Sequence, residues 1–144
     1  MQKEIKHVFF FPHSPEAVWE YLTKPELLSQ WLMENDIKPV TGHTFQFRAK
    51  PALEIEFDGL VYCEILEVVP FKKLSYSWKC NPTPTGYKID TIVMWTLTPK
   101  DNGTELILHQ TGFKENEYVP FYMAMNNGWV HRAEILLQNL NNVK

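Results

Sequence analysis

The side chains that most often carry out catalysis are scattered along this sequence. Its histidines show neither the HxxxH nor the HExxH spacing of metal ligands on a helix; they are His7, His13, His43, His109 and His131. The two cysteines, Cys63 and Cys80, form no CxxC motif, and no histidine accompanies either of them at metal-ligand spacing. We therefore predict no metal site, and we interpret both cysteines as reduced thiols in the core.

Acyl transfer and nucleotide chemistry also lack their usual motifs here. No Gly-x-Ser-x-Gly nucleophile elbow occurs, and the six glycines form no phosphate-binding loop. Glu64 and Glu67 are three residues apart in a predicted strand, so their carboxylates lie on opposite faces and form no acid/base pair. His109 is expected on the solvent side of its strand, and His131 in solvent or at a cavity mouth. The sequence predicts no catalytic residue and no cofactor.

The aromatic residues form the pattern with the clearest binding chemistry. Phe, Trp and Tyr make up 14% of the chain, with five Trp and nine Phe, and each ring buries ~150 to 250 Å². One set of inward-facing side chains is our candidate wall of a ligand cavity: Phe45, Phe47, Tyr76, Trp78, Trp95, Leu108, Gln110, Met125 and Trp129. Because aromatic stripes with these periods are also typical of an ordinary core, both interpretations stand.

Gln110 is the polar member of this set, since it shares the inward phase of Leu106 and Leu108. A buried amide without a partner costs ~1 to 3 kcal/mol. Its partner is either a neighbouring strand, the Tyr76 hydroxyl or water, or else the polar end of a ligand. In the second case Gln110 and Tyr76 would orient that ligand.

Helix start signals and hydrophobic periodicity predict two short helices and a long one. Ser14-Pro15-Glu16 is typical of a helix start. A second start at Thr23-Lys24-Pro25-Glu26 precedes a helical stripe of Leu27, Leu28, Trp31 and Leu32. From Val119 onward the spacing is again helical, with one broad apolar face made of Tyr122, Met125, Trp129, Ala133, Leu136, Leu137 and Leu140.

Between the helices the hydrophobic period changes to two, which predicts six or more antiparallel strands. The alternation is clearest at residues 45–47, 74–78 and 93–97, with further strands at 63–69 and 106–110. Residues 81–86 are so rich in Pro and Gly that we expect a long hairpin loop, and residues 100–103 are expected to form a turn.

These elements define an α+β domain, in which a strongly curved antiparallel sheet wraps around the C-terminal helix and two short helices follow the first strand. Such an arrangement leaves a gap between sheet and helix, and apolar gaps of ~300 to 1,000 Å³ are typical of small-molecule sites. With 144 residues and 17.0 kDa, and no linker or repeat, we expect a single domain over residues 1–144.

Charge and hydropathy narrow the classes of partner. The formal net charge is −3 and no stripe of Lys or Arg is present, which disfavours nucleic acid. No segment approaches the ~20 apolar residues of a membrane span. The apolar run near the start is too short for a signal-peptide core, so we expect a cytoplasmic location.

An ordered set of short motifs runs through nearly the whole chain: Ser14-Pro15-Glu16, Val18-Trp19, Leu22-Thr23, Pro25-Glu26-Leu27, Trp31, Leu66-Glu67-Val68-Val69-Pro70, Leu74, Trp78, Gly103-Thr104, Gly112-Phe113 and Gly128-Trp129. With these motifs the sequence resembles the bacterial branch of the activator of heat-shock protein 90 ATPase homologues, within the START-like, birch-pollen-allergen-like (SRPBCC) superfamily. The resemblance implies the helix-grip fold. It implies little about chaperone activation, which belongs to eukaryotic members with a further domain.

The leading hypothesis is a carrier or sensor that binds a small hydrophobic molecule, lipid-like or aromatic, between sheet and helix. One alternative is an enzyme of the cyclase, aromatase or hydrolase type acting on a hydrophobic substrate, as in the wider superfamily. The other is a co-chaperone-like module that interacts with heat-shock protein 90. The sequence leaves the ligand and the oligomeric state open.

Overall fold

Seven strands and three helices make up the described part of the chain, which is residues 4–52, 57–113 and 119–142 of a computed structural model. In chain order they are β1 (Ile5–Phe11), α1 (Pro15–Thr23), α2 (Pro25–Leu28), β2 (Glu34–Asn35), β3 (Thr44–Arg48), β4 (Leu60–Val69), β5 (Lys73–Thr83), β6 (Gly86–Lys100), β7 (Gly103–Thr111) and α3 (Val119–Asn141).

The strands form one antiparallel sheet in the order β1-β7-β6-β5-β4-β3-β2. The sheet curls around α3, whose side chains Trp129, Ala133, Leu136 and Leu140 are all buried. Alternation places Phe45 and Phe47 of β3, and Tyr76 and Trp78 of β5, in the core between sheet and helix. The predicted α+β helix-grip architecture is confirmed.

The first two helices begin where the sequence predicts. The Ser14 hydroxyl accepts a hydrogen bond from the Ala17 N–H at 3.2 Å, and Pro15 occupies the first turn of α1. The second helix is shorter than the apolar stripe predicts. Helix α2 ends at Leu28, and the residues after it form consecutive turns. Trp31 is buried beyond the helix, where its indole N–H donates to the Tyr21 carbonyl at 2.9 Å.

The expected long loop at residues 81–86 is wrong. Strand β5 continues to Thr83 and pairs with Gly86 at the start of β6, so only a two-residue turn joins the strands. Pro82 is tolerated because it lies beyond Lys79, the last β5 residue paired with β4, where a missing N–H removes no ladder bond to that strand. The turn expected at residues 100–103 is present, with Asp101 and Asn102 both in the left-handed conformation of a tight hairpin.

Within the described residues, none of the helices is long and apolar enough to cross a bilayer.

Candidate functional site

A continuous chain of aromatic rings occupies much of the space between the sheet and α3. Phe45 contacts Tyr76 at a centroid distance of 5.3 Å, and Phe47 contacts Trp78 at 5.3 Å. Trp129 of α3 then contacts both Trp78, at 5.3 Å, and Trp95, at 5.4 Å. The structure therefore brings together six of the predicted wall residues. The rings of these six described residues contact one another and do not enclose a cavity between them.

Trp31 extends this ring chain on the side of the short helices. Its ring meets that of Trp95 edge to face at 6.0 Å, and only 1% of the residue is exposed. The candidate wall omitted Trp31, which had been assigned only to a helical stripe. Its position in that stripe predicts burial, although the partner across the core depends on the fold.

Two hydrogen-bond networks satisfy polar atoms inside the ring chain. The Trp95 indole N–H donates to the Tyr76 hydroxyl at 3.0 Å, and burial raises the pKa of Tyr76 well above its ordinary value. The Gln110 amide accepts from the Trp129 indole N–H at 3.0 Å and donates to the Thr91 hydroxyl at 3.0 Å. Gln110 is 0% exposed, and its partners are a neighbouring strand and α3.

An open space beside these rings lies between α3 and strands β4 and β5 of the sheet. Two adjoining cavities of about 300 and 120 Å³ share Met33, Trp78, Met125 and Arg132 as lining residues. We call the two together the α3 cleft. The smaller cavity also contacts Leu32, Gly128 and Trp129; the larger contacts Ala49, Lys50, Ala52, Phe57, Val61, Cys80 and Ala124.

The predicted wall residues divide according to this cleft. Trp78, Met125 and Trp129 line it. Phe45 instead lines a separate groove, which we call the outer groove, together with Asp36, Gln46, Tyr62, Glu64 and Lys79. The remaining residues are buried and line neither opening: Phe47, Tyr76, Trp95, Leu108 and Gln110.

Trp78 is the buried side chain at the centre of the α3 cleft. The residue is 4% exposed, and among the described residues its indole N–H has no oxygen or nitrogen acceptor. Cys80 lies beside it, and burial raises the pKa of that thiol to about 12. Asp58 raises this pKa further, and a side-chain hydrogen bond with Trp78 partly opposes the rise. At neutral pH the Cys80 sulfur therefore keeps its proton and is only a weak acceptor.

The described charged groups that line the α3 cleft are basic. Arg132, which is half-buried, and Lys50, which is exposed, both line it, and no acidic side chain of the described residues does. The wall prediction omitted both cations. The helical spacing of Met125, Trp129 and Arg132 places the three on one side of α3, so the sequence contained a signal for Arg132.

The outer groove has different chemistry. It has a volume of about 450 Å³, and its polar lining includes Asp36, Gln46, Tyr62, Glu64 and Lys79. Carboxylates and an ammonium group lie beside apolar side chains in it, so its lining is mixed, whereas that of the α3 cleft is mainly apolar. Cys63 also lines it, where burial raises the pKa of the thiol well above its ordinary value.

The remaining candidates for chemistry lie apart from each other. His109 is half-buried and contacts Glu4 at 3.0 Å, while His131 is exposed on α3. Glu67 pairs with Lys73 at 2.9 Å, and Glu64 is exposed. In the described ranges, no group of three or more His, Cys, Asp or Glu side chains is arranged to hold a metal ion.

Solved structures share this fold. MLL2253 from Mesorhizobium loti is 34% identical, with 99% of each chain covered and a TM-score of 0.86. The Aha1 dimer from Colwellia psychrerythraea is 20% identical, with 96% of each chain covered and a TM-score of 0.79. DynU16, from the dynemicin biosynthetic locus, is 20% identical over 99% of this chain and 48% of its own, with a TM-score of 0.75. At 20% identity, the last two similarities show the fold alone.

The family assignment rests on sequence as well as on fold. No match was found among curated proteins. The family model described as Activator of Hsp90 ATPase homolog 1-like protein matches residues 12–141, which include every element from α1 to α3. Together with the 34% identity to MLL2253 over 99% of both chains, this match shows that the chain belongs to the family of Activator of Hsp90 ATPase homolog 1-like proteins.

Proposed function

We propose that this protein binds a small, largely apolar molecule in the α3 cleft, as a carrier or sensor. The observation that carries the proposal is the pair of adjoining cavities that meet at Trp78 and Met125. Trp78 and Trp129 provide large flat surfaces, and the flexible Met125 side chain adapts to the shape of a ligand. The site is smaller than the full space between sheet and helix, because aromatic rings occupy the rest.

The volume of the cleft limits the size of the ligand. The larger cavity, about 300 Å³, is at the lower end of the ~300 to 1,000 Å³ range of small-molecule sites. This volume favours a medium-length alkyl chain or one or two fused aromatic rings over a long-chain lipid. Membership of DynU16 in a biosynthetic locus is compatible with small-molecule binding by this fold, and supports the proposal at the level of fold alone.

A pair of methionine variants tests the proposal. Met125 lines the cleft, whereas Met123, two residues earlier on α3, is 55% exposed and lines neither cavity. We expect 1-octanol and 1-naphthol to shift the indole NMR signals of Trp78 and Trp129 saturably. Met125→Trp should fill the cleft and weaken binding at least about ten-fold, while Met123→Trp should leave it unchanged. Equal affinities in the two variants would contradict the proposal.

The enzyme and chaperone alternatives stay predictions. No acid, base or nucleophile arrangement lines the α3 cleft among the described residues, since its charged groups are Arg132 and Lys50. Turnover of a bound hydrophobic compound would favour the enzyme, and a changed ATPase rate of heat-shock protein 90 would favour the chaperone partner. The cytoplasmic location also stays a prediction.

A further inference from the structure

The buried indole N–H of Trp78 lacks the partner that comparable groups in this protein have. Trp31, Trp95 and Trp129 each donate an indole hydrogen bond to an oxygen, at 2.9, 3.0 and 3.0 Å. Trp78 is equally buried, but among the described residues it has no oxygen or nitrogen acceptor, and the thiol of Cys80 gives it only a weak hydrogen bond. A buried polar donor without a strong acceptor is unfavourable, so an oxygen acceptor supplied by a ligand would recover free energy.

Positive charge lies at the same place. Arg132 lines both cavities of the α3 cleft, and no ion pair to it is found among the described residues. Lys50 lines the larger cavity from the opposite side, on the segment after β3. The formal net charge of the chain is −3, so the two cations among the described lining residues contrast with the acidic balance of the chain as a whole. An anionic group that entered the cleft would meet only cations among the described charged residues that line it.

We propose that the ligand of the α3 cleft is a small amphipathic carboxylic acid, whose carboxylate accepts hydrogen bonds from the Trp78 indole N–H and the Arg132 guanidinium. This inference rests on the proposed function and specifies its ligand class. A carboxylate has enough lone pairs to accept from both donors, and charge-assisted bonds are roughly twice as strong as neutral ones. The apolar part of the acid lies against Met33, Met125 and Val61, and Lys50 attracts the anion at the entrance.

The experiment compares compounds that share an eight-carbon chain and differ in the head group. Binding of octanoate, 1-octanol and octylammonium to the full chain is measured at pH 7 by calorimetry and by the Trp78 indole NMR signal. We expect octanoate to bind at least about ten-fold more tightly than 1-octanol. This ratio of affinities corresponds to one charge-assisted hydrogen bond that the carboxylate makes and the hydroxyl does not. Octylammonium should bind least, because Arg132 and Lys50 repel it.

Variants then assign the head-group contacts. Arg132→Gln should weaken octanoate about ten-fold or more and leave 1-octanol within about two-fold, because only the anion uses the charge. Trp78→Phe keeps a ring in the cleft but removes the indole N–H, so it should also reduce the ratio of octanoate to 1-octanol affinity. Lys38→Gln removes one exposed positive charge outside the cleft and serves as the matched control, with an unchanged preference. Thermal unfolding of each variant confirms that it is folded.

The outcomes separate the two proposals. Binding of 1-octanol at least as tight as that of octanoate would overturn the carboxylate inference and leave the apolar site standing. The same holds if Arg132→Gln changes both affinities equally. If none of the three compounds, nor 1-naphthol, binds detectably to a folded sample, both the proposed function and the inference are overturned.

Discussion

At the scale of single residues, the structure gives Gln110 a defined structural role. Its amide joins Trp129 of α3 to Thr91 of β6, and the Thr91 hydroxyl donates in turn to the Trp78 carbonyl at 2.9 Å. The amide was one of two candidates to orient a ligand, and its carbonyl oxygen and its nitrogen each already have a partner within the protein. Among the described residues, the buried indole N–H of Trp78, two residues from Tyr76, is the donor that lacks an oxygen or nitrogen acceptor.

Removing this amide should therefore destabilise the folded protein itself. Gln110→Met has nearly the same volume but leaves the Trp129 N–H without an acceptor and the Thr91 hydroxyl oxygen without its donor, so we expect a loss of about 1 to 3 kcal/mol in the free energy of unfolding. Gln138→Met, an exposed position on the same helix as Trp129, should change it by less than about 0.5 kcal/mol. Urea denaturation measures both. A cost for Gln110→Met as small as that of the control would contradict the network.

At the scale of elements, two glycines have contrasting surroundings: Gly103 is closely packed between strands, and Gly128 faces open space on α3. Gly103 begins β7 beside the end of β1, where an added Cβ would collide with the Phe11 carbonyl oxygen and lie 2.8 Å from the Phe10 ring. Gly128 lies in α3, where an added Cβ would meet no heavy atom within 4 Å. The same substitution should therefore have opposite effects at the two positions.

We expect Gly103→Ala to lower the free energy of unfolding by about 1 to 3 kcal/mol, because strand β1 must shift away from β7. Gly128→Ala should raise it by about 0.5 to 1 kcal/mol, since alanine loses less backbone entropy than glycine in a helix. Paired chemical denaturation curves measure the two differences. A stabilised Gly103→Ala or a destabilised Gly128→Ala would show that the packing at that position differs from the structure described here.

The element scale also shows what local sequence could predict. The Ser14-Pro15-Glu16 cap, the period-two strands and the apolar face of α3 depend on neighbours in sequence, and each of these elements is present. The end of α2 and the hairpin at Pro82 depend on long-range contacts. Trp31 is held by the Tyr21 carbonyl outside the helix, and Pro82 is tolerated beyond the pairing with β4. Such contacts leave no periodic signal in the chain.

At the scale of the whole molecule, the sequence predicted which side chains face inward but could not show whether they leave space. Whether Trp78, Trp95 and Trp129 enclose a cavity or touch one another depends on ring orientations contributed by β5, β6 and α3. The cleft arises where this packing stops, at Met33 and Met125, and its charge comes from Arg132 and Lys50. A pattern of aromatic residues alone therefore does not distinguish a ligand wall from a core.

The buried thiols couple the stability of the whole fold to pH. The folded pKa of Cys80 is raised to about 12, and that of Cys63 is also raised well above its ordinary value, chiefly by burial. In the unfolded chain both thiols ionise near their ordinary pKa of ~8.5. Between these values the folded state binds more protons than the unfolded state, so the free energy of unfolding falls as pH rises and is unaffected below that window.

We expect a decline that approaches about 1.4 kcal/mol per pH unit for each thiol above pH ~9. Urea denaturation from pH 7 to 10 measures the slope in the original chain and in the Cys63→Ala and Cys80→Ala variants. Each substitution lowers stability at pH 7 by leaving a small cavity, so the slopes are compared and not the absolute values. In each variant the free energy of unfolding should fall less steeply with pH, by the contribution of the thiol that was removed. The same slope in all three proteins would mean that the thiols ionise as freely in the folded state as in the unfolded chain.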